Sequence, residues 1–215
     1  MNYLKQTLVI VLITAVVTLS GVAGYQYFSG GASAEPKDAM VFPKKNQVNS
    51  FALAKGDNTF TDNDLKGKWS FLFFGYTYCP DVCPVTMAVM RDVYAKLEPE
   101  VQQQVQVVLV SVDPERDSPQ HLQKYAQGFH PEFIGVTAEH TMLEPFAKQF
   151  GAIYFKNGDD PQDYLVDHTA KIFLVDPDGK RHAIFDKSLD EGGAYRFNEQ
   201  QMALDFMAIR SAHLR

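Results

Sequence analysis

Cysteine is almost missing from this chain: Cys79 and Cys83 are the only two in 215 residues. That excludes a disulfide scaffold, and a pair set four apart points instead to a redox or metal site. The competing reading makes both of them small buried hydrophobes, although structural cysteines have no reason to cluster at a turn beside two prolines. An excess of base is missing too. The formal net charge is −6, so no basic face is indicated and nucleic acid is not expected as a partner. Acidic residues are absent before Glu35, where Lys5 is the only charged side chain; from Glu35 onward 26 acids stand against 19 bases. No internal repeat is present. What remains is a chain with 46% hydrophobic residues, long enough for one sizeable domain and an appendage.

The appendage comes first. Leu8 to Phe28 carries no charge, and such a run as a helix spans about 30 Å, the thickness of a bilayer core. Lys5 precedes it, and Tyr25, Tyr27 and Phe28 stand where an interfacial aromatic belt would. Residues 1–29 therefore read as a transmembrane anchor with its amino terminus inside. A cleaved signal peptide is the alternative, since Ala32-Ser33-Ala34 has the small-residue form of a cleavage site, but the apolar run is longer than the usual signal core. Lys37, Lys44 and Lys45 follow the span and count against the orientation. Residues 30–45, small, polar and punctuated by proline, read as a tether. On either reading the remaining domain, 46–215, is exported.

Within that domain Val48 to Leu53 reads as a strand, and the turn at Lys55-Gly56-Asp57-Asn58 returns Thr59-Phe60-Thr61 as a hairpin. Phe71 to Phe74 suits a strand buried on both faces, and so does the β-branched run from Val105 to Val112. Between them Val85, Val89, Val93 and Leu97, with Met90 and Tyr94, recur at helical spacing from Pro84 on. Ser118-Pro119 opens a second helix, to about Gly128. After a short strand at Phe133 to Val136, Thr137 is placed to cap a third, with Met142, Leu143, Phe146 and Phe150 as its apolar face and Gly151 as its stop. Ala152 to Phe155 reads as a further strand before a polar excursion from Lys156 to Asp167. Ile172 to Val175 and Arg181 to Phe185 pair across the turn Asp176-Pro177-Asp178-Gly179. A final helix is capped by Asn198 and buries Met202, Phe206 and Ile209. Strands alternating with helices make an α/β domain, a mixed sheet with helices over it.

The chemistry lies where the strand at Phe71 to Phe74 turns through Gly75 into a helix. Pro84 suits the first helical position, which leaves Cys83 at the cap and Cys79 in the preceding loop. A helix amino terminus favours thiolate over thiol. Thiolates are both nucleophiles and soft ligands, so the pair alone does not choose between disulfide exchange and metal binding. His168 chooses. It ends the long polar loop just before a strand, at the level of the sheet where the cysteine turn also lies. Two thiolates and an imidazole suit Cu(I), with Cu(II) reachable through a fourth ligand; zinc fits less well, since structural zinc sites take four ligands at other spacings. Asp81 or Asp167 could orient the imidazole or stand as outer ligands. A hydrogen-bonded structural histidine is the competing reading for His168. Met87 and Met90 read as core rather than thioether ligands, and His121, His130, His140, His182 and His213 as surface residues.

Three blocks together resemble one family. Gly75-Tyr76-Thr77-Tyr78-Cys79-Pro80-Asp81-Val82-Cys83-Pro84, then Val110-Ser111-Val112-Asp113-Pro114-Glu115-Arg116-Asp117-Ser118-Pro119, then Asp167-His168-Thr169 before Ile172 to Gly179, are similar to the Sco/SenC family in order and in kind. The resemblance covers about Phe51 to Gly179; from Lys180 onward no family signature is seen. It implies a thioredoxin-like fold, membrane-anchored on the periplasmic side of a bacterial inner membrane, that binds one copper through Cys79, Cys83 and His168. It further implies a role in maturing the dinuclear copper site of cytochrome c oxidase, by copper delivery, by reducing that site's cysteines, or both, with the copper-site subunit as partner. Oxidation of Cys79 and Cys83 to a disulfide would abolish binding and couple it to redox state. A thiol-disulfide oxidoreductase and a redox or copper sensor stay open as rivals, although thioredoxin-like oxidoreductases usually have two residues between their cysteines rather than three. The block from Asp113 to Pro119 reads as turn-fixing, not catalytic: Asp113 and Asp117 bond backbone amides, and Arg116 pairs with a carboxylate.

Overall fold

The computed structural model describes residues 35–158, 160, 163–190 and 192–214, together with Thr18. The anchor expected at 1–29 lies outside the described residues, Thr18 apart, and no helix among those described is long and apolar enough to cross a membrane. In chain order the elements are β1 (Ala39–Gln47), β2 (Ala52–Lys55), β3 (Asn58–Thr61), a helical turn at Asp62–Leu65, β4 (Trp69–Gly75), α1 (Val82–Ala95), α2 (Pro99–Gln102), β5 (Val105–Ser111), α3 (Pro119–Gln127) and β6 (Ile134–Val136). There follow α4 (His140–Phe150), β7 (Tyr154–Asn157), β8 (Leu165–His168), β9 (Ile172–Val175), β10 (Lys180–Phe185), β11 (Ser188–Leu189), β12 (Tyr195–Arg196) and α5 (Glu199–His213).

The central sheet has the order β1-β10-β9-β4-β5-β6. β4, β5 and β6 run parallel, a pairing that requires crossovers; α1 and α3 lie in them. β9 joins β4 from the other side, antiparallel, and β10 and β1 extend that half. Every residue of β4 and β5 is buried, as their unbroken apolar runs require when both faces are covered. Alternation along β4 sorts its aromatics between the two faces. Phe71 meets Phe206 of α5, while Phe74 meets Phe146 and Phe150 of α4.

Several boundaries differ from the sequence reading, each for a physical reason. Residues 39–45, expected as tether, belong to β1, which pairs with β10 through a register shift between Val41 and Asn46. β1 is an edge strand and mostly exposed, so it shows no hydrophobic alternation, and Pro43 sits in the irregular stretch where no ladder bond is needed. Its entry is held from α5: the buried carboxylate of Asp205 accepts the amides of Lys37, Asp38 and Ala39. Of the excursion expected from Lys156 to Asp167, residues 156–157 and 165–167 are ladder residues of β7 and β8. Thr137 does not cap α4; it bridges to Ala54 and donates to the Ser111 carbonyl. Val85 and Met142 face out, at 56% and 47% exposure, whereas Met87 and Met90 are core.

Candidate metal centre

β4 delivers its chain to the site through Gly75. A Cβ placed on Gly75 would meet Cys83 Sγ and Phe73 Cε1 at 2.9 Å each, so the missing side chain is what lets the Cys83 sulfur lie against the strand end. The turn after it is fixed by Asp117, which accepts from the Thr77 amide at 3.0 Å and from the hydroxyls of Thr77 and Ser111.

α1 then starts at Val82, two residues earlier than Pro84 suggested, with Asp81 as N-cap. Pro84 is tolerated inside the first turn because amides there have no helical partner to lose. The Asp81 side chain does no capping. Sulfur takes that place: Cys79 Sγ accepts from the Cys83 amide at 3.4 Å. Cys83 is fully buried and Cys79 half-buried, and the two thiols are free.

The third donor arrives from the separate two-stranded sheet of β7 and β8. His168 is the last residue of β8 and lies opposite Tyr154 of β7. Its Nε2 is 3.4 Å from Cys83 Sγ, and its Nδ1 is 3.4 Å from the Thr169 carbonyl. Phe73 and Tyr76 stand edge-on to the ring, with centroids at 5.7 and 6.0 Å. The ligating atoms of Cys79, Cys83 and His168 all lie within 4.8 Å of one another.

The two thiols divide one proton between them. The Cys83 sulfur beside it, then His168 and the Asp81 and Cys83 amides, bring Cys79 down to about 3, against the burial that opposes them. Cys83 moves the other way, first because of the neighbouring Cys79 sulfur and then because it is buried. The pair is therefore a thiolate beside a thiol, with a helix amino terminus behind it.

Neither carboxylate expected near the imidazole bonds to it. Asp167 Oδ2 accepts from Asn157 Nδ2 at 3.1 Å; as the neighbour of His168 in a strand it must point to the opposite face. Asp81 is exposed at the helix start. The group facing Nδ1 is the Thr169 carbonyl.

Sequence reasoning missed the latch that holds the loop carrying His168. Tyr164 donates its hydroxyl to Asp113 Oδ1 at 2.6 Å, and the Val166 amide donates to the Tyr76 hydroxyl at 3.1 Å. Asp113 also takes Arg116 Nε at 2.6 Å, the ion pair expected from the sequence. The Arg116 guanidinium lies 3.6 Å from the Tyr164 ring centroid and 4.9 Å from that of Tyr78, contacts that offset the lack of a hydrogen-bond partner at its buried Nη2. The block from Asp113 to Pro119 thus fixes its own turn and grips the cysteine turn and the His168 loop as well. A further correction concerns His182, read as a surface residue: it is 3% exposed and paired with Asp176.

The family model described as SCO1/SenC matches residues 42–200. A "Putative copper-binding protein" of Stutzerimonas stutzeri is 33% identical over 180 residues, covering 83% of this chain and 85% of that one. The chain spans only 44% and 49% of two mitochondrial relatives that it also matches. Among solved structures, apo Sco1 from Thermus thermophilus superposes with a TM-score of 0.66 at 33% identity, over 82% of this chain and 96% of that one. Arabidopsis thaliana ScoI with copper bound gives 0.66 at 29% identity, over 79% and 100%. The thioredoxin-like mixed sheet flanked by helices is therefore present.

Proposed function

Because the chain belongs to the SCO1/SenC family, we propose that it is a membrane-tethered copper-binding assembly factor that helps mature the dinuclear copper site of cytochrome c oxidase. One observation carries the reading: two sulfurs and an imidazole nitrogen, from Cys79, Cys83 and His168, lie within 4.8 Å of one another. This soft donor set fits Cu(I), and a fourth ligand would extend it to Cu(II). Copper is the cargo. Cys79, ionised and half-buried, is the ligand that an incoming partner thiolate meets first; Cys83, fully buried, is released after it. His168 keeps its orientation through the Thr169 carbonyl and the flanking rings of Phe73 and Tyr76. The recipient is the copper-site subunit of the oxidase. The uncharged run from Leu8 to Phe28 behind Lys5 supports a tether at 1–29, with the domain on the outer side of a bacterial inner membrane.

The depressed Cys79 thiol favours a second reading, a thiol-disulfide reductant. The Cys79 thiolate attacks a partner disulfide and one partner sulfur leaves as thiolate. Cys83, giving its proton to the released partner sulfur, then attacks the Cys79 sulfur, so the partner departs with one thiol and one thiolate and Cys79–Cys83 remains as the disulfide. That disulfide also removes both sulfur donors, which ties metal binding to redox state.

The experiment is a Cu(I) competition titration of the reduced full chain beside His168→Ala. The copper reading expects one equivalent bound and an affinity at least about tenfold lower in the variant. A variant that binds as tightly as the parent while still reducing a partner disulfide refutes it and leaves the reductant standing.

A further inference from the structure

At the end of β4 remote from the cysteines lies a second group of ligating side chains. Trp69, first residue of the strand, packs against His182 and His213 with ring centroids 5.1 Å away in each case. The strand runs from Trp69 to Gly75, which puts roughly 20 Å between this end and the cysteine turn. Asp176, in the turn between β9 and β10, and His182, on β10, are 1% and 3% exposed, with His182 Nδ1 3.0 Å from Asp176 Oδ2. His213, in the last turn of α5, sets its ring 5.6 Å from that of His182. The three donor atoms lie within 4.8 Å of one another.

Local folding explains two of the three. Asp176 Oδ1 accepts from the amides of Asp178 and Lys180 at 3.1 and 2.9 Å, which closes the turn. Burial would raise its carboxyl, but the bonds from His182 and the Lys180 amide outweigh it and hold it below the usual range. The turn does not explain His213. Its imidazole makes no hydrogen bond among the described residues, yet the ring is directed into the same group.

We propose that Asp176, His182 and His213 form a second metal site, for a divalent first-row ion such as Zn(II). Two imidazoles and a carboxylate, with no thiolate, select a borderline divalent ion rather than Cu(I). Bonds of about 2.0–2.2 Å require donors roughly 3.4 Å apart, and His213, half-buried at a helix end, is the ligand free to close that distance. The bound ion clamps the last turn of α5 to the turn between β9 and β10, and the His213 side leaves the fourth position to water.

The test uses the tag-free full chain carrying Cys79→Ser and Cys83→Ser, which silence the first site, titrated with Zn(II) by calorimetry. One equivalent is expected, with affinity at least about tenfold lower in His213→Ala and unchanged in His121→Ala, an exposed control. His213→Gln serves as the second variant, with circular dichroism checking that α5 is kept. Co(II) added to the same background is expected to give visible bands that His213→Ala abolishes. Absence of zinc binding, or binding and Co(II) bands that survive loss of His213, overturns the site.

Discussion

The Tyr164 hydroxyl ties the loop before β8 to the Asp113 turn, and Tyr164→Phe isolates what that bond does for His168. The variant keeps the ring, and with it the stacks of Arg116 and Lys156, 3.6 and 3.8 Å from the ring centroid. Only the O–H donated to Asp113 Oδ1 at 2.6 Å is lost. Burial, then the Asp113 carboxylate, push this phenol above its usual range, so it remains a donor. Asp113 is 0% exposed and cannot recover the missing donor from water. A hydrogen bond to a charged group contributes about 1.5–3 kcal/mol, which is roughly 10- to 150-fold in the equilibrium between closed and open loop. The Val166 amide reports that equilibrium, because it donates to Tyr76 at 3.1 Å between Tyr164 and His168. Its hydrogen exchange is expected to speed up by that factor while the amides of β4 change less. A folded Tyr164→Phe protein whose Val166 amide exchanges at the parental rate would show that the hydroxyl does not hold the loop.

Gly75→Ala drives a Cβ to 2.9 Å from Cys83 Sγ and Phe73 Cε1; it is expected to cost about 1–3 kcal/mol in urea unfolding and to weaken Cu(I) binding, and an unchanged midpoint would contradict the close approach. With limiting iodoacetamide at pH 7, Cys79 should be alkylated and Cys83 spared, since Cys79 is half-buried and lowered to about 3 while Cys83 is 0% exposed; peptide mass spectrometry showing Cys83 labelled first would reverse the assignment. Asp190 accepts from the Ala194 amide at 2.8 Å and pairs with Arg196 at 2.6 Å, and the amide bond, ahead of Arg196, holds its carboxyl below the usual range. A lowered carboxyl stabilises fully above its unfolded value of about 3.9 and loses that as pH falls through its folded value. The β11–β12 hairpin should therefore be intact at pH 5 and loosen only in stronger acid; an Ala194 amide shift with its midpoint at or above 3.9 would contradict this.

Much of the molecule was legible in the residues. β4 and β5 announce themselves because a strand buried on both faces must be apolar throughout. The caps of α3 and α5 could be read directly, since Ser118 accepts from the His121 amide and Asn198 from the Gln201 amide, bonds that close within one turn. β1 escaped because an exposed edge strand carries no hydrophobic pattern. The start of α1 was misplaced because a cysteine sulfur, rather than a favoured capping side chain, meets the first turn. His182 was misread because the carboxylate that makes its burial tolerable lies across a hairpin.

The sequence by itself offered two sulfurs on one turn and an imidazole as candidate soft donors, because ligand softness is a property of the side chains. It also determined which strands are interior. Only the tertiary structure decided which of two neighbours, Asp167 or His168, faces the sulfurs, because strand parity sends them to opposite sides. It likewise decided that Cys79 rather than Cys83 bears the charge, that Tyr164 and Asp113 hold the histidine loop, and that Asp176, His182 and His213 meet at the far end of β4. Each of these depends on distances between residues remote in the chain, and those are set by packing.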